Sequence, residues 1–101
     1  MEDANVTVQE TLGAQREEIL RIAARHGVTG IRVFGSVARG DAAADSDIDF
    51  LVEAGDRTTP WFPGGLVADL ERLLGRRVDV VEPDVLDGAL KKHVMEEAIP
   101  L

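Results

Sequence analysis

The chain has 101 residues, 45% of them hydrophobic and 30% charged, a composition that supports one hydrophobic core and is unlike that of a disordered chain. A core of this size buries roughly 60–65% of the unfolded surface and leaves no room for a second folding unit. A formal net charge of -8 argues against loose binding along DNA or RNA, which relies on Lys and Arg contacts to phosphates, and the lack of cysteine rules out disulfides and thiolate metal ligands.

The chain starts acidic, at Glu2 and Asp3, without the basic start and apolar run of a signal peptide. Nowhere do about 18 apolar residues run together, so the expectation is a soluble, cytoplasmic protein with no membrane association. Thr7 and Glu10 have the spacing of a capping box and predict a first helix running to about Ala24 or His26. Val8, Leu12, Ile19, Ile22 and Ala23 form its apolar stripe, with Gly27 suited to the left-handed position that ends it. Residues 31–34, bounded by Gly30 and Gly35, read as a first strand. One helical turn fits over 36–39 before Gly40, and the small polar stretch 41–46 reads as a loop in which Ser46 caps or orients the chain.

A second strand is predicted over 47–53, then a loop over 56–65 with two prolines and two glycines. Leu66, Val67, Leu70, Leu73 and Leu74 mark an amphipathic helix ended by Gly75, and residues 77–82 a third strand broken by Pro83. Val85, Leu86, Ala89, Leu90, His93 and Val94 fit a last helix before the tail 99–101. The order α-β-α-β-α-β-α predicts a single small α/β domain, a mixed sheet of three or four strands with helices packed on it.

The informative stretch is GSVARGDAAADSDID: Gly35-Ser36 leaves the first strand, and after a ten-residue spacer Asp47-Ile48-Asp49 opens the second. Gly35 permits a tight turn and close approach of a ligand to the main chain, and Ser36 adds a hydroxyl at the start of a turn whose amides point outward, which together make a seat for a phosphate. Residues two apart in a strand share a face, so Asp47 and Asp49 project together while Ile48 and Phe50 face the core. Two such carboxylates suit Mg²⁺, which completes its octahedron with water and substrate phosphate. A two-metal phosphoryl transfer calls for a third acid. Asp79, between Val78 and Val80, is the candidate, because alternation turns it outward to the face of the other two. An Asp-x-Asp alone says little, since the chain holds ten aspartates and Asp45-Ser46-Asp47 is another instance. The weight comes from the two serines of the chain, one after Gly35 and one before the acidic pair, each at a strand boundary.

This pattern resembles that of the DNA polymerase β nucleotidyltransferase superfamily, and GSVARG with SDIDFLV is similar to its minimal nucleotidyltransferase branch. The likeness extends to LLGRRVDVVEP and to EEAIPL and so covers most of residues 16–101. It implies a nucleotidyltransferase fold, with Gly35 and Ser36 on the triphosphate of ATP and Asp47, Asp49 and Asp79 holding two Mg²⁺ ions. It also implies a protein partner, a HEPN-type ribonuclease toxin in a hetero-oligomer, onto a tyrosine of which AMP is transferred. Two alternatives stand beside it: an antitoxin that neutralises by binding alone, and, weakened by the small size, transfer to a small molecule. Arg39 reaches either a triphosphate oxygen or the partner, or is solvated. Trp61 and Phe62 either stack on a base or partner or cover the core edge. His26 and His93 read as structural, and Arg76, Arg77, Lys91 and Lys92 as solvated faces.

Overall fold

A computed structural model describes residues 7–43 and 45–101 of the chain; the acidic start at Glu2 and Asp3, and Ala44 of the expected loop, lie outside them. The elements are α1 (Val8–Ala14), α2 (Arg16–Arg25), β1 (Val28–Phe34), α3 (Ser36–Arg39), β2 (Ile48–Ala54), α4 (Gly64–Leu74), β3 (Val78–Val81), a 3₁₀ turn (Pro83–Val85), α5 (Gly88–Glu97) and β4 (Ile99–Pro100). The sheet order is β3-β2-β1-β4, with β1 antiparallel to both β2 and β4 and β2 parallel to β3. The parallel pair requires a crossover, which α4 supplies. The expected α/β fold with a mixed sheet is therefore found, with four strands.

Binary pattern explains the core. Ile31 and Val33 of β1, Ile48, Phe50 and Val52 of β2, and Val78 of β3 turn one sheet face against Leu12, Ile19, Ile22 and Ala23 of α1 and α2 and Leu66, Leu70 and Leu74 of α4. Ile48, Phe50 and Val52 are wholly buried, each worth about 1.5–3 kcal/mol of transfer free energy. Alternation then sends Asp49 and Asp79 to the opposite face.

Three expectations need correction. The first helix is two: Gln15, at φ -102 and ψ 10, leaves helical geometry and divides α1 from α2, and the bend lets Leu12 and Ile19 both reach the core. The capping box at Thr7 and Glu10 is present as expected. The last helix begins at Gly88, because Pro83 opens a 3₁₀ turn and Leu86 is extended. Of the stripe assigned to it only Val94 is buried, while Val85 and Leu90 are 73% and 54% exposed. The tail is a short strand, β4, pairing Ile99 and Pro100 with Val33 and Arg32.

The loop after β2 is fastened at the end of the sheet where β1 begins. Gly55 donates its N–H to the carbonyl of Gly27 at 2.7 Å. His26, buried at the end of α2, contacts Thr59 Oγ1 through Nδ1 and Asp69 Oδ2 of α4 through Nε2, both at 2.7 Å. The structural reading of His26 holds, and its hydrogen bond keeps the Asp69 carboxyl below the usual range. Phe62 packs against the core, whereas Trp61 is 90% exposed. Among the described residues no helix is long and apolar enough to cross a membrane.

Candidate functional site

Gly35 leaves β1 with φ 75 and ψ -152, backbone that suits glycine. A Cβ there would collide with Asp49 Oδ2, so only a bare main chain comes this close to the carboxylate. Ser36 opens the single turn α3, Val37 anchors it in the core, and Gly40 at φ 81 ends it. Gln9 of α1 donates through Nε2 to the Val37 carbonyl at 2.8 Å and holds the turn from outside.

The chain before β2 is held at several points. Ser46 Oγ accepts the Ala43 N–H at 2.9 Å, the expected orienting role. Arg76 Nη2 donates to the carbonyls of Ala43, at 3.1 Å, and of Ser46. The Ile48 N–H donates to the Arg77 carbonyl at 3.0 Å. Asp47 thus lies between two residues tied to the chain that enters β3. Arg76 is a loop staple rather than the solvated residue its sequence position suggests. Arg77 is exposed, and its Nε pairs with Asp47 Oδ1 at 3.2 Å.

The parallel register sets Asp49 directly beside Asp79, and the antiparallel one sets Asp49 opposite Phe34, next to Gly35. Burial, the charge of Asp79 and a hydrogen bond with the Asp79 carboxyl, with a smaller push from Asp47, raise the Asp49 pKa from 3.8 to about 6, while Arg39 acts the other way. Gly35, Asp49, Asp79 and Arg39 are brought together. Asp47 is near enough to act on Asp49 but is turned to Arg77, and among the described residues no three His, Asp or Glu side chains form a ready cation cage. The donor set itself, carboxylate oxygens crowded enough to raise the Asp49 pKa, fits a hard divalent cation whose charge would offset their repulsion.

One participant was not identified from the sequence. Glu97, at the end of α5, accepts the Gly35 N–H on Oε2 at 2.7 Å and Arg39 Nη1 on Oε1 at 2.8 Å. The bond from Arg39, helped by that from Gly35, holds the Glu97 carboxyl below its usual range against its burial. Arg39 also reaches Asp41 Oδ2 at 3.4 Å, and Glu97 and Asp41 together raise its own pKa. The sequence carries no local signal for Glu97, which contacts a residue 62 positions away.

The family model described as a nucleotidyltransferase domain matches residues 16–101. The protein adenylyltransferase MntA of Thermococcus cleftensis is 37% identical over 92 residues, 91% of this chain and 90% of that protein. A Methanocaldococcus jannaschii protein assigned as a protein adenylyltransferase is 36% identical over 84 residues, 83% of this chain and 90% of its own. A solved structure assigned as a minimal nucleotidyltransferase is 49% identical with a TM-score of 0.81, covering 92% of this chain and 95% of the other. A structure of the toxin-antitoxin MntA-HpeT is 25% identical with a TM-score of 0.68, over 85% of this chain and 70% of the other. With the match spanning most of its length, the chain belongs to the nucleotidyltransferase domain family.

Proposed function

We propose that the chain is a Mg²⁺-dependent protein adenylyltransferase that works in the cytoplasm as an antitoxin, moving AMP from ATP onto a tyrosine hydroxyl of a HEPN-type ribonuclease toxin with which it forms a hetero-oligomer. The observation that carries this reading is the pairing of Asp49 and Asp79 on adjacent strands beside the glycine-only backbone of Gly35. The named relatives support the same activity, and the complex of MntA with HpeT supports a toxin as partner.

In this reading Gly35, Ser36 and Arg39 bind the triphosphate and Asp47, Asp49 and Asp79 hold two Mg²⁺ ions. Bound there, the ions would supply charge stabilisation to the reacting phosphate. The chain's own groups do the rest. The Gly35 N–H and Arg39 orient the phosphates. The Arg77–Asp47 pair has its guanidinium side chain 81% exposed, and such a pair is worth at most about 1 kcal/mol, so Asp47 is readily freed for ligation. In the transfer the acceptor oxygen forms a bond to the α-phosphorus, the bond from that phosphorus to the β-bridging oxygen breaks, and pyrophosphate leaves. Asp79, on the open face, receives the hydroxyl proton.

The test is transfer of label from α-labelled ATP to the partner toxin. The unsubstituted chain labels it, and Asp47→Asn and Asp49→Asn, folded as judged by circular dichroism, do not. Labelling at the unsubstituted rate in either variant overturns the assignment. Tight toxin binding by a chain that fails to bind ATP with Mg²⁺ would instead favour neutralisation by binding alone.

A further inference from the structure

The donors assigned to the triphosphate already carry an anion. Both oxygens of one carboxylate, on Glu97, are engaged: one by the main-chain N–H of Gly35, the other by the guanidinium of Arg39. The Glu97 side chain is only 12% exposed, and His93 stands 3.7 Å from Oε1 on the same helix. A phosphate offers a pair of anionic oxygens to the same kind of donors. Asp47, Asp49 and Asp79 lie in the same region, where a further acid adds like charge that a cation-loaded nucleotide does not. Glu97 is also the last residue of α5, separated only by Ala98 from β4, whose Ile99 and Pro100 pair with β1 just before Phe34 and Gly35.

We propose that Glu97 is a resident stand-in for a nucleotide phosphate. Nucleotide binding is then an exchange in which phosphate oxygens replace the carboxylate on the Gly35 N–H and Arg39, and the displaced Glu97 releases the junction of α5 with β4. The inference rests on the reading of Gly35 and Arg39 as the triphosphate seat. Its consequence is that occupancy of the site is felt at the terminal strand without any contact between the nucleotide and β4. A competing internal ligand lowers apparent affinity by the fraction of molecules in which it is seated.

Calorimetry of the full chain with ATP and Mg²⁺, and with inorganic tripolyphosphate, tests the exchange in the unsubstituted chain, Glu97→Gln, Glu97→Ala and Arg39→Ala. Loss of one charge-assisted contact pair predicts binding about tenfold tighter in the two Glu97 variants, and weaker binding in Arg39→Ala. Hydrogen exchange of the unsubstituted chain gives a second readout: ATP with Mg²⁺ raises exchange over residues 94–101. Equal or weaker binding by both Glu97 variants, with Arg39→Ala still impaired, overturns the exchange and leaves the triphosphate seat standing, Glu97 then being a support for Arg39. Unchanged or greater protection of 94–101 overturns it as well. Absence of ATP binding in every chain overturns the seat and the exchange together.

Discussion

Asp49 holds a carboxylate where the fold would prefer a neutral group, so Asp49→Asn should stabilise the chain while it destroys activity. In the folded state its pKa is raised from 3.8 to about 6. A raised carboxyl pKa means that the folded form binds the proton more tightly than the unfolded form, so ionisation costs stability. That cost is absent below about pH 4, develops between about pH 4 and 6, and is complete above about 6. At roughly 1.4 kcal/mol per tenfold the ceiling is about 3 kcal/mol, and because the site is half-buried, screening by water reduces the expected value to about 1 kcal/mol. Urea denaturation without divalent metal should therefore find Asp49→Asn about 1 kcal/mol more stable than the unsubstituted chain at pH 8 and equal to it at pH 4. Added Mg²⁺ should stabilise only the unsubstituted chain, by about 1.4 kcal/mol at ten times its Kd. A variant less stable at pH 8, or a difference independent of pH, would refute the reasoning.

Gly35→Ala puts a methyl group against Asp49 Oδ2 at a positive φ; it should cost about 1–3 kcal/mol in chemical denaturation and abolish ATP binding in calorimetry, and unimpaired binding would contradict the close approach. His26→Ala leaves Thr59 and Asp69 without their buried partner and should cost about 1–3 kcal/mol in thermal denaturation. Because the length of β1, about 20 Å, separates His26 from Gly35, ATP affinity should be unchanged, and a large loss of affinity would show that the two ends of the sheet are coupled.

What could be read from the sequence was local. Asp49 and Asp79 could be placed because a strand alternates its faces and each sits between apolar neighbours, and Gly35 because few other residues tolerate such a turn; Asp47, expected to open the second strand, precedes β2 and follows Ser46, so alternation does not set its direction and it turns to Arg77. The apolar spacing of Val85, Leu86, Ala89 and Leu90 imitates a buried helical stripe, yet Pro83 and the extended Leu86 delay the helix, and no pattern distinguishes an apolar residue that is covered from one that is not. The break at Gln15 left no punctuation stronger than Gly13, and β4 is two residues long, below any periodic signal. Glu97, Arg76 and the partners of His26 were illegible for a different reason: each acts across 30 residues or more, and such contacts exist only once the sheet has assembled.

The side-by-side placement of Asp49 and Asp79 has an evolutionary corollary. Sliding β3 past β2 by a single residue would present Val78 or Val80 to the acids and bury a carboxylate instead. A change of one residue in the three-residue step from Arg76 to Asp79 would disarm descendants of this chain at once, whereas the crossover loop between Gly55 and Gly64 should tolerate a change of length that spares Thr59 and Phe62, which hold it to His26 and to the core.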